Sequence, residues 1–144
     1  MAVFDVSEPA VAIISSGQLP FDEPGALDVL REVLSSGRLE ATTDPAVLSQ
    51  ASTVVVVIGT PIDKHLNPEA LDVPHQVAKL APHLRDGQLL VLRSTLYPGV
   101  TGMVEGRLKA LGLSLDVAFC PERIAEGKAM TELYSLPQIV AARQ

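Results

Sequence analysis

The residues able to do chemistry in this chain gather just past short apolar runs. Asp5 closes the run Ala2-Val3-Phe4, and Gly59-Thr60-Pro61 closes the run from Thr53 to Ile58. Ser94 and Thr95, with Arg93 before them and Pro98-Gly99 after, follow Gln88 to Leu92. Glu122, Arg123, Ile124 and Glu126 follow Leu115 to Cys120. A carboxylate at a strand end can accept hydrogen bonds from ribose hydroxyls. A glycine lets the backbone come close to a ligand, and the neighbouring threonine hydroxyl and amide can meet a phosphate or a ribose. Two adjacent hydroxyls are donors. Glu122 and Glu126 suit general acid/base or substrate work, and Arg123 suits an anionic ligand.

Each group also has a plainer reading. Asp5 alone is an ordinary strand-end aspartate. Gly59 to Pro61 divides evenly between a ligand loop and a simple turn. Ser94 and Thr95 lean towards ligand donors, because the same kind of edge is used again. On charge content alone, the loop 121–127 is a solvated one. Cys120 ends an apolar strand and reads as a small buried hydrophobe rather than a nucleophile. His65, His75 and His83 lack metal-ligand spacing, so no metal site is expected. The chain carries neither a nucleophile elbow nor a phosphate-binding lysine loop.

Composition narrows the class. Of the 144 residues, 47% are hydrophobic and 19% charged, so a packed domain is expected rather than disorder. Aromatics are 3%, which leaves the core to Val, Leu, Ile and Ala. A net charge of −6 with no basic stripe argues against nucleic acid. The single cysteine excludes an internal disulfide and a zinc cluster, which suits a reducing cytoplasm. Apolar runs fall far short of the roughly 20 residues that span a bilayer, so no membrane partner is expected. The acidic amino terminus, with Arg31 as its first basic residue, is unlike a secretory signal.

These loops need strands to hold them. Thr53 to Ile58 is β-branched and apolar throughout, which predicts a middle strand buried on both faces of a parallel sheet. Gln88–Leu92 and Leu115–Cys120 repeat the pattern, Gln138–Ala142 gives a final strand, and Leu39–Thr42 gives a weak one. Helices are expected between them. Ser7, Glu8 and Pro9 start one that Gly17 closes, and Ala26–Ser36 ends at Gly37. Pro45–Gln50 gives one or two helical turns. Val77, Leu80 and Leu84 mark an apolar helix face, Thr101 caps a helix ending at Gly112, and Lys128–Tyr134 is short. Alternating strands and helices predict an α/β fold, a Rossmann-like parallel sheet with helices on both faces. No repeat or domain linker is evident. The first strand and the Gly-rich turn, which belong about 20 residues before a ribose-binding Asp, are missing from the sequence.

Four segments together resemble the UDP-glucose/GDP-mannose dehydrogenase family, the nucleotide-sugar 6-dehydrogenases. They are Gln18-Leu19-Pro20-Phe21-Asp22-Glu23-Pro24-Gly25, Val57-Ile58-Gly59-Thr60-Pro61, Leu92 to Gly99, and Phe119 to Gly127. They occur in family order and at family-like spacing over almost the whole chain. The Cys120-Pro121-Glu122-Arg123 form is most similar to the UDP-N-acetylmannosamine branch.

The resemblance implies NAD as cofactor and a UDP-sugar as substrate, oxidised at C6 from alcohol to carboxylate in polysaccharide biosynthesis. It implies that Asp5 holds the adenosine ribose and that Gly59, Thr60 and Pro61 line the NAD site. Ser94 and Thr95 then lie near the cofactor, with Thr95 near the reacting centre. Glu122 takes the acid/base position used when a thioester is hydrolysed. Arg123 and Ile124 touch substrate, and Glu126 lies near nicotinamide and substrate. The full-length family forms homo-oligomers.

Departures are equally plain. The family often has Lys or Arg where Ala10 stands, and Gly-Gly where Ala141-Ala142 stand. The central helix with its catalytic lysine, and the UDP-sugar domain with its catalytic cysteine, are not within these residues. The expectation is therefore a partial NAD-binding domain over residues 1–144, inactive alone. The alternative is a non-catalytic nucleotide-binding or interaction module built on the same fold.

Overall fold

The computed structural model describes residues 1–59 and 71–142, which gather into two compact units. The first comprises Met1–Val47 and Arg123–Pro137, and the second Leu48–Glu122 and Gln138–Gln144.

In the first unit, strand β1 (Ala2–Phe4) pairs in parallel with β2 (Glu40–Thr42). Helix α1 spans Glu8–Ser15. Its cap is Ser7, whose hydroxyl accepts the Ala10 N–H at 3.3 Å, with Pro9 in the first turn. This is the start that Ser7-Glu8-Pro9 predicts. Helix α2 (Ala26–Ser35) follows, and Gly37 ends it at φ +67°. Helix α5 (Ala129–Ser135) completes the unit. Only Gly17, Glu23 and Leu30 are buried here among the described residues.

The second unit holds strands β3 (Thr53–Val56), β4 (Leu89–Leu92), β5 (Asp116–Phe119) and β6 (Ala141–Ala142), in that order. A 3-10 turn at Pro45–Gln50 leads into it. Helices α3 (Asp72–Leu80) and α4 (Val100–Ala110) pack together and cover one sheet face. Val54, Val56, Leu90, Leu92 and Val117 meet Val73, Val77, Val104 and Leu108 there.

Three expectations change. β3 is not buried on both faces: Val54 and Val56 are buried, while Val55 is 53% and Val57 75% exposed. It is an edge strand of its sheet among the described residues, not a middle one. The helices described in its unit lie over the face that carries Val54 and Val56, which leaves Val55 and Val57 outside their cover. The last strand is the two residues of β6, and it runs antiparallel to β5. The chain before it stays at the carboxyl edge, where Gln138 binds Arg93, so the strand must start there and run back. Finally, α4 is capped by Gly99 at φ +93°, not by Thr101, which lies inside the helix. A left-handed residue after Pro98 starts the helix two residues earlier, and glycine adopts that conformation without a Cβ clash.

No helix among the described residues is long and apolar enough to cross a membrane.

Candidate functional site

In the second unit, register brings three loops level. Val56 pairs with Leu92, and Leu92 with Phe119, so β3, β4 and β5 end together. The ladder continues one step further, with Arg93 N–H donating to Val56 O and Cys120 N–H to Leu92 O, both at 2.9 Å. Gly59, Ser94-Thr95 and Cys120-Pro121-Glu122 therefore leave one carboxyl edge, the end of a parallel sheet where ligands bind. Thr60 and Pro61 lie outside the described residues.

Gly59 is exposed, and a Cβ placed on it would meet nothing within 4 Å. Among the described residues, nothing fills the space beside it. Ser94 is 7% exposed, and its hydroxyl is engaged twice: it accepts Ile58 N–H at 3.0 Å and donates to Ile58 O at 2.6 Å. A hydroxyl has one proton to give. Ser94 thus ties the ends of β3 and β4 together, and its oxygen keeps only acceptor capacity. Thr95, the next residue, is exposed at the edge.

Glu122 stands opposite Arg93. The Arg93 guanidinium forms an ion pair with Glu122 Oε2 and donates to Gln138 Oε1 at 3.0 Å and Cys120 Sγ at 3.1 Å. The Glu122 N–H donates to Arg93 O at 2.9 Å. Donating to the Glu122 carboxylate raises the Arg93 pKa above its usual value, with partial burial opposing. The same contact favours the ionised carboxylate of Glu122. Cys120 is 7% exposed, in keeping with a buried thiol.

In the first unit, Asp5 follows β1 and is exposed. Its N–H donates to Thr42 O at 3.1 Å, and its Oδ1 accepts the Ser7 N–H at 2.8 Å. The carboxylate is thus oriented by the start of α1. Arg123 donates to Pro137 O at 3.2 Å, and Ala125 N–H donates to Glu132 at 2.8 Å. Glu23 is buried and binds the loop that carries Glu126. Its two oxygens accept Gly127 N–H at 2.9 Å and Ala129 N–H at 2.7 Å. It caps α5, whose own cap residue Lys128 makes no side-chain bond. Ile124 is half-buried and Glu126 exposed.

Glu23, Gln138 and the role of Arg93 escape sequence reasoning. The one available signal for Arg93 was a cation directly after a strand, with carboxylates following the next strand. No group of His, Cys, Asp and Glu among the described residues could hold a metal. A groove lined by Leu89, Leu108, Lys109, Gly112, Ser114 and Asp116 opens where β4 and β5 begin, the wrong end of a parallel sheet for a dinucleotide.

A family model described as "UDP-glucose/GDP-mannose dehydrogenase family, NAD binding domain" matches residues 1–144. The chain is 28% identical to a UDP-N-acetyl-D-mannosamine dehydrogenase of Salmonella typhimurium, over 94% of this chain and 34% of that protein. It is 30% identical to one of Methanococcus aeolicus, over 90% and 30% respectively. It superposes on the structure of a UDP-D-ManNAc dehydrogenase from Pyrococcus horikoshii with a TM-score of 0.90 and 26% identity. That match covers 98% of this chain and 35% of that one. The chain spans about a third of the length of these relatives.

Proposed function

The chain belongs to the UDP-glucose/GDP-mannose dehydrogenase family, and from that premise we propose that it is the NAD-binding portion of an enzyme that oxidises C6 of a UDP-sugar. The likeness to UDP-N-acetylmannosamine dehydrogenases in name and in the Cys120–Arg123 segment favours that sugar. The observation that carries the reading is the level carboxyl edge of the second unit. There Gly59, Thr95 and the ionised Glu122 leave adjacent strands.

The residues present fit the cofactor. An exposed carboxylate follows β1 at Asp5, and open space adjoins Gly59. Bound NAD supplies the hydride acceptor. Asp5 would hold ribose hydroxyls of the cofactor, Gly59 would admit close approach of its own loop, and Thr95 would supply a hydroxyl donor. Ser94 keeps two of these loops in register through Ile58. Glu122, held ionised by Arg93, is suited to take a proton from attacking water. Arg123, Ile124 and Glu126 would contact the sugar nucleotide, as the likeness to the family implies.

The helix amino terminus that grips a pyrophosphate normally follows a Gly-rich turn, and α1 follows Asp5-Val6-Ser7 instead. The chain alone should therefore bind NAD weakly and turn over no UDP-sugar. Titration with millimolar NAD, followed by amide NMR, should shift Asp5, Gly59, Thr95 and Glu126. Asp5→Ala should weaken those shifts. No response at these residues would overturn the reading. Micromolar affinity by calorimetry would show that the chain lacks no essential pyrophosphate contact.

A further inference from the structure

The chain leaves the second unit after Glu122 and re-enters it at Gln138. Both of those residues meet one side chain, Arg93, the first residue beyond β4. One guanidinium nitrogen pairs with Glu122 Oε2, and the other donates to Gln138 Oε1 and Cys120 Sγ. The Cys120 thiol lies 3.9 Å from Gln138 Oε1, positioned to donate back. The Arg93 carbonyl accepts the Glu122 N–H. Of the three acceptor residues only Cys120 is still on the ladder, through its N–H to Leu92 O; Glu122 lies beyond β5, which ends at Phe119, and Gln138 lies before β6, which begins at Ala141.

We propose that Arg93 is a positioning residue of this edge: its guanidinium fixes the Glu122 carboxylate and fastens the exit and return of segment 123–137 at one point. A planar fork can serve a carboxylate, an amide oxygen and a sulfur in fixed directions. A lysine ammonium carries its three donors on one nitrogen and cannot span partners that here are served by two separate guanidinium nitrogens. With 16% of its side chain exposed, Arg93 is shielded enough for its direction to be set by these partners rather than by water. The proposal deepens the reading of Glu122 as the acid/base group and rests on it for the chemistry alone. The clasp itself is geometric.

The test uses the whole chain without cofactor, so its outcome is separate from that of NAD binding. Carboxyl-carbon NMR of glutamate-labelled protein follows Glu122 from pH 3 to 8. Arg93→Gln should move the Glu122 midpoint upward by roughly one pH unit, the size expected when an opposite charge is removed. Arg93→Lys should restore most of that shift but leave the Gln138 side-chain amide signals displaced, because charge returns without the fork. The amide signals of the buried core residues Leu90 and Val117 should stay where they are in the parent, which a general loosening of the fold would not leave untouched. An unmoved Glu122 in a folded Arg93→Gln protein would overturn the proposal. Should that variant fail to fold, Glu122→Ala gives the second test: with one arm of the fork emptied, the Arg93 side-chain N–H and the Gln138 side-chain amide signals should both move, and unmoved signals would equally sink the idea.

Discussion

At the scale of single residues, the strand ends are tied by side chains that a motif reader assigns to ligands. Ser94 is the clearest case. Its hydroxyl satisfies both the N–H and the C=O of Ile58, backbone groups that β3 leaves behind when it ends at Val56. Ser94→Ala should leave two part-buried polar groups without partners. The expected loss is about 1–3 kcal/mol, read from equilibrium urea unfolding. A change no larger than the roughly 0.5 kcal/mol of an ordinary surface substitution would show that water replaces the hydroxyl without penalty. Arg93 illustrates the electrostatic side. Its pKa is raised in the folded chain, so its contribution is complete below the ordinary guanidinium value and fades only above the raised one. Across neutral pH it stays charged. The pair with Glu122 therefore weakens only as pH falls and the carboxylate takes up a proton.

At the scale of elements, the same Pro-Gly turn that marks the loop after β4 also sets where α4 begins. Gly99 takes a left-handed conformation at φ +93° and caps the helix with no side-chain bond, while Thr101 sits within the first turn. Gly99→Ala should destabilise by about 1–2 kcal/mol, the cost of placing a Cβ in that region. Thr101→Ala should change stability little, because no cap bond is lost. Thermal melts of the two variants separate the cap assignments, and a larger loss for Thr101→Ala would reverse them. Short helices elsewhere borrow their ends: α5 takes its cap from Glu23, over a hundred residues earlier in sequence. No local pattern around Lys128 announces that contact.

At the scale of the whole molecule, packing is uneven. The apolar core of β3, β4, β5, α3 and α4 lies entirely in the second unit. The first unit buries only Gly17, Glu23 and Leu30 among its described residues, and its sheet has two strands. Amide exchange should accordingly be slowest at Leu90, Leu92 and Val117 and much faster in β1 and β2, because opening a segment that buries little apolar surface costs little. Mass-resolved exchange of peptides from Met1–Val47 and from Leu48–Glu122 measures this directly. Equal protection in both would mean that the first unit draws stability from contacts beyond its own small core.

The sequence by itself determined the alternation of strands and helices, the helix stops at Gly17, Gly37 and Gly112, and the loops in which chemistry-bearing residues stand. These follow from local rules: β-branched runs extend, glycines accept positive φ, and Ser-x-Pro starts helices. The motifs in those loops also carried the family. Tertiary structure alone decided which residues face one another. Whether Val55 is covered depends on where α3 and α4 land. Whether Ser94 offers its proton outward depends on the position of Ile58, 36 residues away. That Arg93 holds Glu122, Cys120 and Gln138 depends on register across β4 and β5, which no single segment encodes.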